Sequence, residues 1–418
     1  MTILEFGSLA ASGDWTSAFK KAAETCRDNG GGTITVPAGV YSTHSIQLYS
    51  NTTFVVESGA MIRYFKETEG YEAIDLCFEG IAGTAAMPLI YAESAKNITI
   101  TGGGTLDGQG TLWWEAVRNH TLALQRPYFV CFNNCEHVVL ENVTLLNSPS
   151  WTVHPLNSSD VTVRGLTIHN PWDSPNTDGI NPDSSQNVRI SDCLIDVGDD
   201  CIAIKSGTED TLNPKPCENI LITNCLMLNG HGGVVIGSEM SGGVRNVLVT
   251  GCIFRGTDRG IRLKTRRHRG GAVSNITFSH ILMEDVQTPF VFNMYYFCGK
   301  GGKEESVRDK NKRPVDSKTP SISDVRIESV TAVNATACAG FVYGLPESPV
   351  TRITMKDCTV TMKKGKKSQA AMMDDLDDFE ARGLFLRNAK DFALENFNVV
   401  GQIGEAYDMD ESSCVISK

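Results

Sequence analysis

Along most of the chain, β-branched residues alternate with polar ones in short bursts, each opened by one polar residue. The phrase reads NITITGG from Asn97, HVVLENV from His137, DVTVRGL from Asp160, NVRISDC from Asn187, NILITNC from Asn219 and NVLVTGC from Asn246. It returns as NITFSHI from Asn275, DVRIESV from Asp324, RITMKDC from Arg352 and DFALENF from Asp391. A period of two predicts strands. The starts at 137, 160, 187, 219, 246 and 275 lie 23, 27, 32, 27 and 29 residues apart. Strand-and-turn repeats of this length predict a solenoid, here an all-β parallel β-helix of roughly ten stacked coils.

The seventh position of each phrase tests that reading. It holds Gly103, Val143, Leu166, Cys193, Cys225, Cys252, Ile281, Val330, Cys358 and Phe397. All but Gly103 are apolar or Cys, as an inward ladder requires. Four of the 13 cysteines are thereby read as small buried hydrophobes, and no paired CxxC suggests zinc. Of the seven N-x-S/T triplets, those at Asn97 and Asn275 open the phrase itself, where Asn and Thr are turn and strand residues rather than glycan acceptors.

Helical periodicity is confined to the start. Asp14 is an N-cap candidate, Ala18, Phe19, Ala22, Ala23 and Cys26 share a face, and Gly30-Gly31-Gly32 ends the run. Residues 1–30 are therefore expected to form a short capping helix over an end of the solenoid. Lys300 to Pro320 reads as a charged loop inserted between coils, and the segments 363–367 and 374–380 belong to another long loop. No Pro/Ser-rich linker interrupts residues 1–418, so a single domain is expected.

The chain has 418 residues and a net charge of −11. That charge disfavours nucleic acid and anionic membranes as partners, and no stretch approaches a membrane span. An anionic substrate would need a local basic patch. TRRHRGG from Thr265 is either that patch or a solvated loop. Met1 to Gly7 lacks a basic and apolar leader and the cysteines are odd in number, so a cytoplasmic protein is expected. Secretion after removal of a leader is the other reading.

The repeat places the chemistry. Asp178 lies 18 residues after its phrase start, Asp199 and Asp200 lie 12 and 13 after theirs, His231 lies 12, and Arg262 and Lys264 lie 16 and 18. Each set falls once per turn at a similar phase on four successive coils. With strands about 4.8 Å apart, they would form one patch roughly 15 Å tall. Any one of these residues alone reads as turn punctuation. Together they do not.

NTDGI at Asn176, GDDCIAIKSG at Gly198, GHGG at Gly230 and IRLK at Ile261 occur in that order. They resemble the four signature segments of the polygalacturonase-like family 28 glycoside hydrolases, and GGGTLDGQG at Gly102 extends the resemblance over most of the chain. The resemblance implies a right-handed parallel β-helix and an inverting hydrolase of α-linked galacturonic acid in pectin, without metal or cofactor. It implies Asp199 as general acid, Asp178 and Asp200 as the carboxylates that activate water, and His231 as a residue that tunes the acid. Arg262 and Lys264 would hold the substrate's carboxylate and hydroxyls, as their donors suit a uronic acid.

An inverting pair of carboxyl groups is expected roughly 6.5–9.5 Å apart, and three close carboxylates are expected to raise one another's pKa. Asn176, Lys205, His154 and Glu239 are further substrate-binding candidates, with Trp113 and Trp114 beside them. Tyr295 and Tyr296 read either as sugar-stacking rings or as core. VVIGSEMSGG after GHGG and the basic segment around His268 look like the family's bacterial branch. Three alternatives stay open: a hydrolase of rhamnogalacturonan or another decorated pectin, a calcium-dependent eliminase on the same fold, and a non-catalytic carbohydrate-binding β-helix.

Overall fold

The computed structural model describes residues 1–417. They fall into two compact units, Met1–Asp199 and Asp200–Lys418. Each is built from short parallel strands stacked coil upon coil.

In the first unit, one column of strands runs through Gly32–Val36, Thr52–Val56, Lys96–Thr101, Glu136–Glu141, Ser159–Arg164 and Gln186–Ser191. Its register puts Ile34, Phe54, Ile100, Leu140, Val163 and Ile190 one above another. A second column stacks Tyr41, Ile62, Leu106, Leu145, Ile168 and Ile195. A third runs through Ile46, Ile90, Val130 and Val153 and reaches Ile180. All these side chains are buried. Strands in contact on both sides leave no free ladder edge within the stack, so the alternating β-branched residues become ladders of the same face.

The second unit repeats the plan. Ile220, Val247, Ile276, Val325, Ile353 and Phe392 form one ladder. Ile202, Val234, Ile261 and Phe290 form another. The seventh-position column is buried throughout except at Gly103, and Ile281, Val330, Cys358 and Phe397 pair directly. Among the described residues, none of the 13 cysteines forms a disulfide.

The polar start of each phrase has a backbone cause. All ten first residues, from Asn97 to Asp391, have φ between 50 and 59°. All ten sixth residues also have positive φ. Each coil thus bends at two left-handed residues, where Asn, Asp and Gly carry the smallest penalty. The stacked amides then bond to one another. Asn97 Nδ2 donates to Asn51 Oδ1 at 2.7 Å in the first unit, and Asn275 Nδ2 to Asn246 Oδ1 at 2.7 Å in the second.

The capping helix spans Thr16–Asp28 and buries Ala18, Phe19, Ala22, Ala23 and Cys26, the face the sequence marks. Trp15 holds the cap position, but the Asp14 carboxylate accepts the Thr16 N–H at 2.8 Å. Three further elements have no periodic signal in the sequence. Ile3–Leu9 is a 3-10 helix, Thr111–Arg118 an α-helix, and Ala73–Phe78 pairs antiparallel with Ile81–Ala86. The helix Thr111–Arg118 buries Trp113 and Trp114, and Trp114 Nε1 donates to the Ser148 carbonyl at 2.9 Å. These tryptophans are core rather than sugar contacts.

Candidate active site

In the first unit, Asp178 follows a turn that starts at Asn170. The Asn170 amide donates to Thr152 Oγ1 at 2.9 Å and to the Thr177 carbonyl at 3.2 Å, closing the turn at its base. The Asp178 carbonyl then accepts from Thr152 N at 2.8 Å, which returns the chain to the stack. Asp178 is buried, and Asn181 Nδ2 donates to its Oδ2 at 3.0 Å.

Asp199 is reached from the next coil. Thr177 Oγ1 accepts the Gly198 N–H at 3.3 Å and pairs with Ser174 Oγ at 2.6 Å. A Cβ on Gly198 would lie 2.5 Å from the Ser174 carbonyl oxygen and 2.7 Å from that of Pro171. Glycine is therefore required before Asp199 by close approach. The pair is brought together so that one oxygen of each carboxylate lies within 4.8 Å of the other's. The spacing also suits a cation, as does that of the more exposed group Glu136, His137 and Asp160.

Arg126 adds a charge the sequence did not single out. It is buried and donates to the Pro149 and Pro175 carbonyls at 3.0 and 2.6 Å. Burial pulls its pKa down to about 10, against the pull of Glu79, Asp178 and Asp199. Asn176 joins it to the hairpin tip: its Oδ1 accepts from Arg126 at 2.7 Å and its Nδ2 donates to Glu79 at 3.2 Å. The Asn176 side chain is thus a bracket between two charged residues. His154 is packed edge-on to Tyr128 and Trp151 with Nε2 3.5 Å from Asp183, and its side chain is 1% exposed. That corrects its assignment as a sugar contact.

In the second unit, Asp200 opens a strand column that carries Gly232, Arg262 and Lys264. Its carboxylate accepts from Arg262 Nη1 at 3.0 Å and from Lys264 Nζ at 2.7 Å. Burial raises its pKa, but Lys264 and Arg262 outweigh that and hold the carboxyl well below the usual range. The expected mutual raising by neighbouring acids therefore fails at Asp200, because two cations lie in contact with it. A Cβ on Gly232 would come 3.1 Å from Asp200 Oδ1 and 2.4 Å from the Val235 side chain, which accounts for a glycine in GHGG.

Around this ion pair, Tyr296 presents its ring to Arg262 and Lys264, at 5.6 and 5.0 Å. Tyr295 is instead core, edge-on to Tyr343 and covered by Lys310 Nζ at 3.7 Å, so it offers no face to a sugar. Lys205 and Glu239 are buried and closed on each other at 3.2 Å. Burial raises the Glu239 pKa, but Lys205 and Arg269 override it and bring it to about 2. His231 is exposed, with Nδ1 2.8 Å from Asp258 Oδ2. Asp258 in turn meets Arg259 at 3.3 Å. Arg259, Arg262 and Asn293 hold the loop around residues 369–372, through Gln369 O at 2.8 Å, Met372 Sδ at 2.9 Å and Met372 O at 3.0 Å.

The basic run from Thr265 is neither a substrate patch nor a solvated loop. Arg266, Arg267 and Arg269 are buried, the first and third paired with Glu209 and the second with Glu347. Arg267 also donates to the Ser306 and Asn311 carbonyls at 2.8 and 3.0 Å, fastening the charged insertion. Asp258 and Arg259 could be marked in advance only as charged residues beside the IRLK segment, and Arg126 lies beside no motif segment. Nothing in their spacing identifies their partners.

Residues 26–375 match the family model for glycosyl hydrolases family 28. A probable polygalacturonase of Vitis vinifera is 33% identical over 365 residues, 84% of this chain and 72% of that protein. An endo-polygalacturonase of Pectobacterium carotovorum subsp. carotovorum is 30% identical over 341 residues, 77% of this chain and 81% of its own. Among solved structures, a hyperthermoactive exopolygalacturonase from Thermotoga maritima superposes with a TM-score of 0.79 at 30% identity, covering 96% of this chain and 92% of that one. The fold is the right-handed parallel β-helix that the repeats and the resemblance predicted.

Proposed function

This chain belongs to the glycosyl hydrolases family 28, and from that premise we propose a site in which Asp199 protonates the leaving oxygen while Asp178 and Asp200 activate water. It is an O-glycosyl hydrolase of galacturonan, the substrate class of its polygalacturonase relatives. The observation that carries the roles is the contact of Asp200 with Arg262 and Lys264. A carboxyl held that far below its usual range has no proton to donate, so Asp200 can accept from water but cannot be the acid. Asp199 is the less buried of the first unit's pair, which suits a group that must reach a glycosidic oxygen. Asp178, fixed by Asn181, supports the water with Asp200.

Two cations against one carboxylate leave a net positive charge beside Asp200. That charge is the feature suited to a uronate carboxylate, with Arg262 the better shaped donor. His231, held by Asp258, keeps the role of tuning the acid that the resemblance gives it. Inversion is supported by the family resemblance.

The test is a time course on polygalacturonate, trigalacturonate and rhamnogalacturonan, with the first-formed anomer read by proton NMR. Hydrolysis of galacturonan to the inverted anomer is expected, unchanged by a chelator. Asp199→Asn and Asp178→Asn should each lower kcat by about 10³-fold or more with the fold intact. Full activity in either variant removes the assignment. An unsaturated product lost on chelation would identify an eliminase instead.

A further inference from the structure

A polysaccharide makes many of its contacts away from the bond that is cut, and the first unit holds one side chain those contacts could use. Trp172 is 79% exposed, whereas Trp113, Trp114 and Trp151 are 1%, 6% and 2% exposed. An indole left this open gains almost nothing from packing in the free protein. Single exposed apolar residues are ordinary, but Trp172 stands on a backbone that its neighbours fix.

It sits in the turn from Asn170 to Asn176, which is rigid. Ser174 N and Oγ both donate to the Pro171 carbonyl, at 3.0 and 2.5 Å. Pro171 and Pro175 restrict the backbone on either side. Arg118 donates to the Asp173 carbonyl at 2.7 Å and to its carboxylate at 3.1 Å, pinning the residue next to the indole. The carbonyls of Pro171 and Ser174 are also the atoms that close on Gly198, the residue before Asp199. One rigid turn therefore carries Trp172, ends at Asp178 and packs on the chain that presents Asp199.

An exposed ring on a fixed backbone, with only two side-chain torsions to order, binds flat apolar surface at a small entropy cost, and the C–H face of a pyranose is such a surface. We propose that Trp172 is a stacking platform for a galacturonic acid ring of the substrate, in a subsite beside the Asp178 and Asp199 carboxylates. The proposal rests on the hydrolase reading above. Trp172 touches no reacting bond, so it contributes to binding and not to the chemical step.

The experiment uses the full chain with trigalacturonate and polygalacturonate. Trp172→Ala should raise KM about tenfold and leave kcat within about twofold, while Trp172→Phe stays within about threefold of the wild type in KM. In the inactive Asp199→Asn background, trigalacturonate should shift the tryptophan fluorescence saturably. That shift should vanish when Trp172→Ala is added. Wild-type KM in Trp172→Ala, or a fluorescence shift that persists without Trp172, overturns the proposal while leaving the hydrolase reading in place. A wild-type chain inactive on galacturonan overturns both.

Discussion

Gly198 shows how one absent side chain places Asp199, the proposed acid. Its backbone runs against the Ser174 and Pro171 carbonyls, where any Cβ would fall 2.5 and 2.7 Å from oxygen. Neither oxygen can yield easily, since each belongs to the closed turn that leads into Asp178. Gly198→Ala should therefore displace Asp199 rather than unfold the unit. A shift near 1 Å at a catalytic group costs on the order of 10²-fold in rate, so kcat should fall by about that factor with a destabilisation of about 1–3 kcal/mol. Circular dichroism and kinetics on the same sample check it, and a variant with wild-type kcat would show the close approach to be unimportant. A glycine flanking two aspartates is visible in the sequence, but the oxygens that demand it come from residues more than 20 positions upstream.

At the scale of elements, the basic segment after Lys264 is the main surprise. Its arginines sit inside, and Arg267 meets Glu347 at 2.6 and 3.0 Å while also donating to carbonyls of the insertion. Arginine suits this because its planar fork can satisfy a carboxylate and several carbonyls at once. Arg267→Met should leave Glu347 buried and unpaired, at a cost of about 3–5 kcal/mol, and should open residues 300–320 to protease. Adding Glu347→Leu should recover much of the loss. Urea unfolding and limited proteolysis measure both, and an unaltered cleavage pattern in the single variant would falsify the fastening role. Charge runs in sequence default to solvent because their partners, here Glu209 and Glu347, lie tens of residues away.

At the scale of the whole molecule, an acidic chain of net charge −11 keeps its second unit together with buried and half-buried carboxylates whose pKa values are depressed. Asp200 is well below its ordinary 3.8, Glu239 falls from 4.5 to about 2, and Asp258, Glu209 and Glu347 are lowered too. A folded-state pKa below the unfolded one stabilises the fold above the unfolded value, and that stability is lost as pH falls towards the folded value. The melting temperature should therefore be nearly flat above about pH 5 and decline steeply from about pH 4.5 down to about 2. Glu239→Gln should melt lower at neutral pH and lose less on acidification. Parallel curves for the two proteins in that window would mean the Lys205 pair contributes no net stability.

The coil itself was legible because its rules are local. Period-two alternation, an apolar seventh position and two left-handed bends per phrase are properties of neighbouring residues, so Asn97, Asn187 and Asn275 announce the stack wherever they occur. The same phase argument marked Asp178, Asp199, Asp200, His231, Arg262 and Lys264. What each charge does was settled by its neighbours in space. Two cations on Asp200 hold its pKa well below the usual range, Asp258 oriented His231, and burial turned Tyr295, His154 and the Thr265 run into structure. Periodicity is written along the chain, whereas electrostatic environment depends on distances of 3 to 5 Å between residues the chain keeps far apart. The sequence determined the stack and the phase of its acids; only the tertiary structure set Arg262 and Lys264 against Asp200.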